Sequence, residues 1–435
     1  MVPCPKSMVT GMSMTMDMPT RRAFTLGQFG GALELAITLV FLLIFSSAFF
    51  GPLIETSATA TDTSWVRMLY YGVYFLIIIL VVQHPLVTAK GLARSFLLLL
   101  PVLLAIASTL WSIEPGFTFR RSIALLMTTA FAIYLASRYD WSDLIELLAA
   151  TYGVLAVLSL LFVLLVPDKG IMQTTHVGAW AGLWWEKNDL GMNMAKAAHL
   201  CLCALIFRPK RAWLWGTLLV LSVALILLST SKTSLLAMIL AFTGVGALYV
   251  FRRSPLIGIP LVYFGVIFGV GLALGIEFAP KFMFGLIGKD PTLTGRTDIW
   301  EALFAQIKHH PWLGHGYGVF WLDETGPAFW VRQQTEWLVP TAHNGWLETW
   351  LSIGLVGVVI FALTYISAII AALRGVLRDK TAYWALISTL VFLLFSMSES
   401  NILQQNNLGW IVFAATAAKL FGAGPSKHNH SADAP

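Results

Sequence analysis

Residues 143–166, DLIELLAATYGVLAVLSLLFVLLV, decide the fold. Past Glu146 the run carries no charge, and its length matches the about 20 apolar residues that a helix needs to cross the hydrocarbon core of a bilayer. Eleven further segments of the 435-residue chain read the same way: 31–52, 66–83, 95–110, 122–137, 190–207, 212–229, 233–251, 255–276, 346–373, 381–397 and 408–421. Those at 95–110, 122–137 and 408–421 are short, and a re-entrant or tilted course is the alternative for them. The composition agrees. Hydrophobic residues make up 57% of the chain and charged residues 11%, where an ordinary soluble domain carries about 25%; the mean hydropathy is +0.76. Such a chain has too few charges to cover a water-facing surface. That excludes a cytosolic enzyme, a secreted disulfide scaffold and a disordered chain. Cys4, Cys201 and Cys203 offer neither a disulfide framework nor a zinc spacing. Residues 1–28 lack an apolar core, so they read as a polar tail ahead of an uncleaved anchor rather than as a cleavable signal.

The charges test the span count. With the N-terminus cytoplasmic, 16 of the 28 Lys and Arg fall in short inner connections, Arg138, Arg208, Arg211, Arg252 and Lys419 among them. This is the positive-inside pattern, and it predicts an even number of spans with both termini in the cytoplasm. Lys196 lies inside a span, and eleven cations fall outside, including Arg120, Arg121, Lys187, Lys232 and Arg296. A cation set against the topology rule points to an anionic ligand on that side, with a lipid phosphate or a local ion pair as the ordinary alternative. The expected architecture is an all-α polytopic membrane protein of about 12 transmembrane helices. A tail at 1–30 precedes helices 1–9 across 31–276, a long outer loop at 277–345 containing short helices, helices 10–12 across 346–421, and a tail at 422–435.

The 69-residue loop 277–345 far exceeds an ordinary connection, which marks it as functional. Of 17 Trp, 13 fall on the expected outer side, where a membrane belt would populate both faces. Flat rings suit the apolar faces of sugars, and Trp300, Trp312 and Trp346 are the candidates for sugar contacts. Within the loop, residues 297–309 form an amphipathic helix pattern, with Ile299, Trp300, Leu303, Phe304 and Ile307 on one stripe. Gly295 and Arg296 stand at its start, where free N–H groups and a guanidinium make a cradle for an oxyanion; a pairing of Arg296 with Asp298 or Glu301 is the alternative. The alternating glycines of His310-Pro311-Trp312-Leu313-Gly314-His315-Gly316-Tyr317-Gly318 lack the strand–helix context of a nucleotide loop and read as a turn with close backbone approach. His343, at the mouth of the tenth span and near Glu348, is placed as a general base would be.

Together these residues resemble the O-antigen ligase and polysaccharide polymerase superfamily. The resemblance rests on Thr294-Gly295-Arg296-Thr297-Asp298-Ile299-Trp300, on His310-Pro311 with Gly314, Gly316, Tyr317 and Gly318, and on His343-Asn344 with Leu347-Glu348. Upstream, Trp111-Ser112-Ile113-Glu114-Pro115 followed by Arg120 and Arg121, Gly178-Ala179-Trp180 with Glu186-Lys187-Asn188-Asp189-Leu190-Gly191, and Ser229-Thr230-Ser231-Lys232-Thr233 resemble the family's other elements, in the same order. The ligases usually carry Arg where this chain has Lys232, which is more like the exopolysaccharide polymerase branch. The resemblance implies an inverting, metal-independent glycosyltransferase of the membrane GT-C type, without a cofactor, at the periplasmic face of a bacterial inner membrane. Its donor would be an oligosaccharide on undecaprenyl pyrophosphate. A polymerase passes that glycan to another lipid-linked repeat unit, whereas a ligase passes it to lipid A–core. It implies Arg120, Arg121, Lys232 and Arg296 as pyrophosphate ligands and His343 as base, with Glu348 orienting it. The implied partners are a chain-length regulator, export proteins and membrane lipids, and no nucleic acid. A transporter or flippase is the alternative from another class, suggested by Glu34 and Lys196 within spans. It would leave the long loop without a counterpart in the other half of the chain.

Overall fold

The structure is a computed structural model that describes residues 26–48, 64–174, 176–254, 256–258, 260, 296–322, 326–336, 338–376 and 382–422. Almost all of the expected span 255–276, the loop up to Gly295, Trp337 and most of both tails lie outside the described residues. The chain divides into a unit at 1–40 and a unit at 41–435. Of the first, the described part is the N-terminal portion of α1 (Leu26–Phe45), in which Thr38 Oγ1 donates to the Glu34 carbonyl at 2.7 Å. Everything below concerns the second.

Its helices are α2 (Ser64–Gln83), α3 (Pro85–Arg94), α4 (Phe96–Ala107), α5 (Pro115–Arg138), α6 (Trp141–Leu165), the single turn α7 (Pro167–Gly170), α8 (Lys187–Phe207), α9 (Ala212–Ser229) and α10 (Lys232–Arg253). After the undescribed stretch come α11 (Arg296–Ile307), α12 (Pro327–Thr335), α13 (Gly345–Val376), α14 (Ala382–Ser396) and α15 (Leu408–Leu420). No β-strand occurs among the described residues; one isolated bridge pairs Ile171 with Trp180. Among the described residues, seven helices are long and apolar enough to cross a membrane: α2, α5, α6, α8, α9, α10 and α13. An eighth span results if α3 and α4, bent by 83° where Ser95 separates them, are taken together. Gly31–Phe45, α14 and α15 are apolar but shorter, and the expected span at 255–276 lies almost wholly outside the described residues. The helix expected at 122–137 starts earlier, at Pro115. Thr118, Arg120, Arg121 and Ser122 occupy its first turns, helical positions that a hydropathy reading passes over.

Two helices act as hubs. α5 packs against α3, α4 and α15, and α8 packs against α6, α9 and α10; α13 and α14 join the two groups through α4 and α10. Hydroxyls inside the hubs satisfy themselves locally, as an apolar surrounding requires: Thr128 donates to Ala124 O at 2.7 Å, Thr129 to Leu125 O at 2.8 Å and Ser137 to Ile133 O at 2.7 Å. Trp410 Nε1 then reaches across from α15 to Thr129 Oγ1 at 3.0 Å.

The charges sort to opposite ends of the helices. The C-terminal ends of α5, α8, α10 and α15 carry Arg138, Arg208, Arg252 with Arg253, and Lys419. The N-terminal ends of α5, α8 and α10 carry Arg120 with Arg121, Lys187 and Lys232. These are the two populations that the sequence separates by side.

Candidate active site

α13 is broken where it matters. Ile353 (φ −130°, ψ 17°) and Gly354 (φ 71°, ψ −176°) leave helical geometry, which strips the carbonyls before the break of their intrahelical partners. Non-helical backbone at membrane depth is tolerated only when protein supplies the missing hydrogen bonds. The glycine-rich loop supplies them. His315 N donates to Leu351 O at 2.8 Å and Gly316 N to Ser352 O at 3.0 Å; in return Leu355 N donates to Pro311 O at 2.9 Å and Val356 N to Trp312 O at 3.3 Å. The approach is so close that a Cβ on Gly354 would lie 2.0 Å from Trp312 O. The expected turn with close backbone approach is thus a plug in a broken span. On its other side it meets the Trp111-Ser112 element: Trp111 Nε1 donates to Leu313 O at 2.9 Å, Ile113 N to His315 O at 3.0 Å and Tyr317 N to Ser108 Oγ at 3.0 Å. His315, 4% exposed, has its pKa pushed down to about 4 by burial.

Just ahead of the break, Asn344 caps α13, its Oδ1 accepting from Trp346 N at 2.9 Å and Leu347 N at 3.2 Å. His343 precedes the cap in the left-handed region, φ 46°. That conformation is costly for a residue with a Cβ and collects at functional sites. Its Nδ1 faces Glu399 Oε2 at 3.4 Å, and the other oxygen of Glu399 receives Arg296 Nη2 at 3.3 Å. A single carboxylate therefore joins the first residue of α11 to the histidine. Trp300 Nε1 holds α11 against the same segment by donating to Ala342 O at 3.0 Å. The amphipathic stripe buries Ile299, Leu303 and Ile307, while Phe304 stays exposed.

Glu348 is occupied differently from the expectation. Its carboxylate accepts from Trp321 Nε1 at 2.9 Å, Ala342 N at 3.0 Å and Ser400 Oγ at 3.3 Å, and the acid opposite His343 Nδ1 is Glu399. Arg121 turns inward and donates to Gly318 O; Arg120 stays exposed, its guanidinium 4.5 Å from the Phe117 ring. Lys232 opens α10 beside Lys187, which opens α8 and donates to Thr230 Oγ1 at 3.3 Å. The two motif elements interlock there, with Ser231 Oγ donating to Asn188 Oδ1 at 3.1 Å and Gly191 leaving space that a Cβ would take within 2.7 Å of Ser231 and Ser234. Asp189, two residues on from Lys187, lies within electrostatic range of both Glu399 and His343. Of the Trp candidates, Trp312 is exposed and Trp300 half-buried. Trp346 is engaged in the bundle, its Nε1 on Ser396 Oγ at 3.0 Å and its ring against Phe361 and Tyr365.

Sequence reasoning missed Glu399, Lys187 and Trp321 as site residues. The signal for Glu399 was available. Between the apolar segments at 381–397 and 408–421 the connection reads Ser398-Glu399-Ser400-Asn401, then Gln404-Gln405-Asn406-Asn407, a dense polar run. It folds over the site: Tyr317 donates to Leu403 O and to Gln405 Oε1.

Fold and site together define a polytopic helical membrane protein with a polar, cation-bearing cleft where a loop fills a broken span. The family model described as O-Antigen ligase matches residues 217–362, which hold Lys232, Arg296, the glycine-rich loop and His343. Along 370 residues the chain is 26% identical to the exopolysaccharide production protein ExoQ of Rhizobium meliloti (strain 1021), covering 81% of this chain and 82% of that protein. The chain is thus similar to the O-antigen ligase family over residues 217–362 and to an exopolysaccharide production protein over most of its length.

Proposed function

We propose that this protein polymerises oligosaccharide repeat units carried on undecaprenyl pyrophosphate, by inverting glycosyl transfer at the periplasmic face of a bacterial inner membrane. The observation that carries the reading is the shared Glu399 carboxylate, which holds His343 on one oxygen and Arg296 on the other. With Nδ1–H donated to Glu399, Nε2 of His343 bears the lone pair that takes the proton of the acceptor hydroxyl. That oxygen bonds to the anomeric carbon of the donor as the bond from this carbon to the pyrophosphate oxygen breaks. The departing pyrophosphate, with about two to three negative charges, needs cations already in place. In this reading Arg296, Lys232 and Lys187 supply them, with the exposed Arg120 of α5, while Arg121 is held by Gly318 O. In this reading Glu399 orients the base, and Glu348 organises the loop around it.

The similarity to a protein named for exopolysaccharide production favours a polymerase, and so does Lys at position 232; transfer to lipid A–core is the second reading, favoured by the name of the matching family. A GT-C-like arrangement of about twelve spans, both termini cytoplasmic, and partnership with a chain-length regulator and export proteins belong to the same proposal. The test is complementation of a deletion strain with His343→Ala, reading glycan length. The expected loss is about 10²–10⁴-fold in polymer formation at normal protein level. Single repeats still attached mark a polymerase, loss of all attachment marks a ligase, and full-length polymer would remove His343 from the chemistry.

A further inference from the structure

Beside the His343–Glu399 pair lies a cavity of about 260 Å³, walled by Arg121, Tyr317, Trp321, Glu348, Ser352 and Gln404. We propose that it seats one uncharged sugar ring of the glycan, apart from the cations that meet the pyrophosphate, and that it discriminates against rings bearing a carboxylate. The proposal rests on the glycosyl-transfer reading above.

Three features point to that ligand. First, the wall is electrically balanced. It contains one cation, Arg121, already donating to Gly318 O, and one anion, Glu348, already held by three donors. Arg121 and Glu348 act on each other in this wall, so a pyrophosphate or a sugar carboxylate would compete with Glu348 for its one guanidinium, at a desolvation cost that a neutral ring does not meet. Second, the wall mixes donors and acceptors, with hydroxyls of Ser352, Thr341 and Ser400, the amide of Gln404 and the edge of Trp321. An alkyl chain would strand these groups, whereas each hydroxyl of a sugar both donates and accepts. Third, size and position fit. The volume falls below the about 300–1,000 Å³ usual for drug-sized ligands, which suits a single ring. Thr341 and Ser400 line the cavity and adjoin the reacting pair: Thr341 Oγ1 accepts from His343 N at 3.4 Å, and Ser400 follows Glu399. A ring seated there presents a hydroxyl toward His343. Specificity would then reside in Gln404, Trp321 and Arg121, none of which the sequence singled out for sugar binding.

The test is saturation-transfer NMR on the full chain in lipid nanodiscs, with methyl glucoside, methyl galactoside and methyl mannoside as neutral probes and methyl glucuronide as the charged one. At least one neutral glycoside should bind wild type and Arg211→Ala, at the far end of the bundle, alike. The glucuronide should be about tenfold weaker or worse. Gln404→Trp, placed at the exposed rim, should abolish the signal by filling the cavity, and Gln404→Ala should weaken it with the unfolding temperature unchanged. Inorganic pyrophosphate should not displace the glycoside. Absence of signal from every neutral glycoside, a signal indifferent to both Gln404 variants, or preferred binding of the glucuronide would overturn the proposal. Glycoside binding together with normal polymer from His343→Ala would instead count against the glycosyl-transfer reading and leave the cavity's assignment standing.

Discussion

The two ends of the bundle use the same side chains for opposite purposes. At one end, four cations fasten neighbouring segments to one another. Arg208 pairs with Asp143 and with Glu146 at 3.1 Å, Arg211 with Glu146 at 2.5 Å, Arg94 donates to Gly422 O at 2.6 Å, and Lys419 donates to Ala136 O at 3.0 Å, a terminal carbonyl of α5. Arg94, Arg208 and Lys419 sit at helix C-termini, where the dipole favours them, and Arg211 stands just ahead of α9. At the other end the dipole disfavours them, yet Arg120, Arg121, Lys187 and Lys232 stand at or near helix N-termini, and Lys187 and Lys232 come together. Glu186 offsets part of this repulsion at Lys187. If these cations meet the pyrophosphate as proposed, a charge is a fastener at one end and a receptor at the other.

The comparison can be broken by mutation. The largest effect after His343→Ala is expected from Lys187→Ala with Lys232→Ala, about 10²–10³-fold less polymer at unchanged protein level. Parity with wild type would reduce these lysines to lipid or surface contacts. Next, Glu399→Gln should cost about 10–100-fold, the scale seen when a reactive group loses its orienting carboxylate; chain-length analysis of the complemented strain measures it. A smaller effect follows from pH. The pKa of His315 lies near 4 in the folded protein, below the about 6.5 of an unfolded histidine, so the unfolded chain takes up its proton first as the solution is acidified. His315 therefore disfavours folding progressively from pH 6.5 down to about 4 and adds no further change below. Unfolding temperatures across that range should fall in wild type, and His315→Gln should flatten the slope. The smallest change belongs to the fastening end: Arg211→Ala breaks a pair that is half exposed and should cost about 0–1 kcal/mol, with polymer length untouched. A catalytic loss from Arg211→Ala comparable to that of the lysines would erase the distinction between the ends.

Much of this was legible in the chain. The run at 143–166 and its companions gave the helices, the sorting of Arg and Lys gave the two ends, and the periodicity of 297–309 gave α11 nearly to the residue. The break in α13 was not legible, because Ile353-Gly354 sits inside 32 residues whose hydropathy never falters; only the exchange with Pro311–Gly316 reveals why the helix opens. Glu399 was missed and Glu348 put in its place for a related reason. Nearness in sequence put Glu348 beside His343, but on a helix started by Asn344 its carboxylate turns back to Ala342 N, and the acid that meets the imidazole comes from 56 residues further along. Trp346 was read as a sugar platform from its position, and the neighbours that occupy it, Phe361 and Tyr365, lie beyond the Ile353-Gly354 break, which folds the second part of α13 back against the first.

The reciprocal hydrogen bonds between the glycine loop and α13 have a mechanical consequence. To lift the loop away is to uncover eight backbone groups, four on the loop and four on α13, so this segment should open no more readily than the helices around it, and its amide protons should exchange as slowly as theirs. The loop is then a stator. If the protein lengthens a lipid-borne glycan as proposed, whatever yields to admit the substrate and release the product must lie elsewhere in the molecule, and the glycan advances past a floor that stays still.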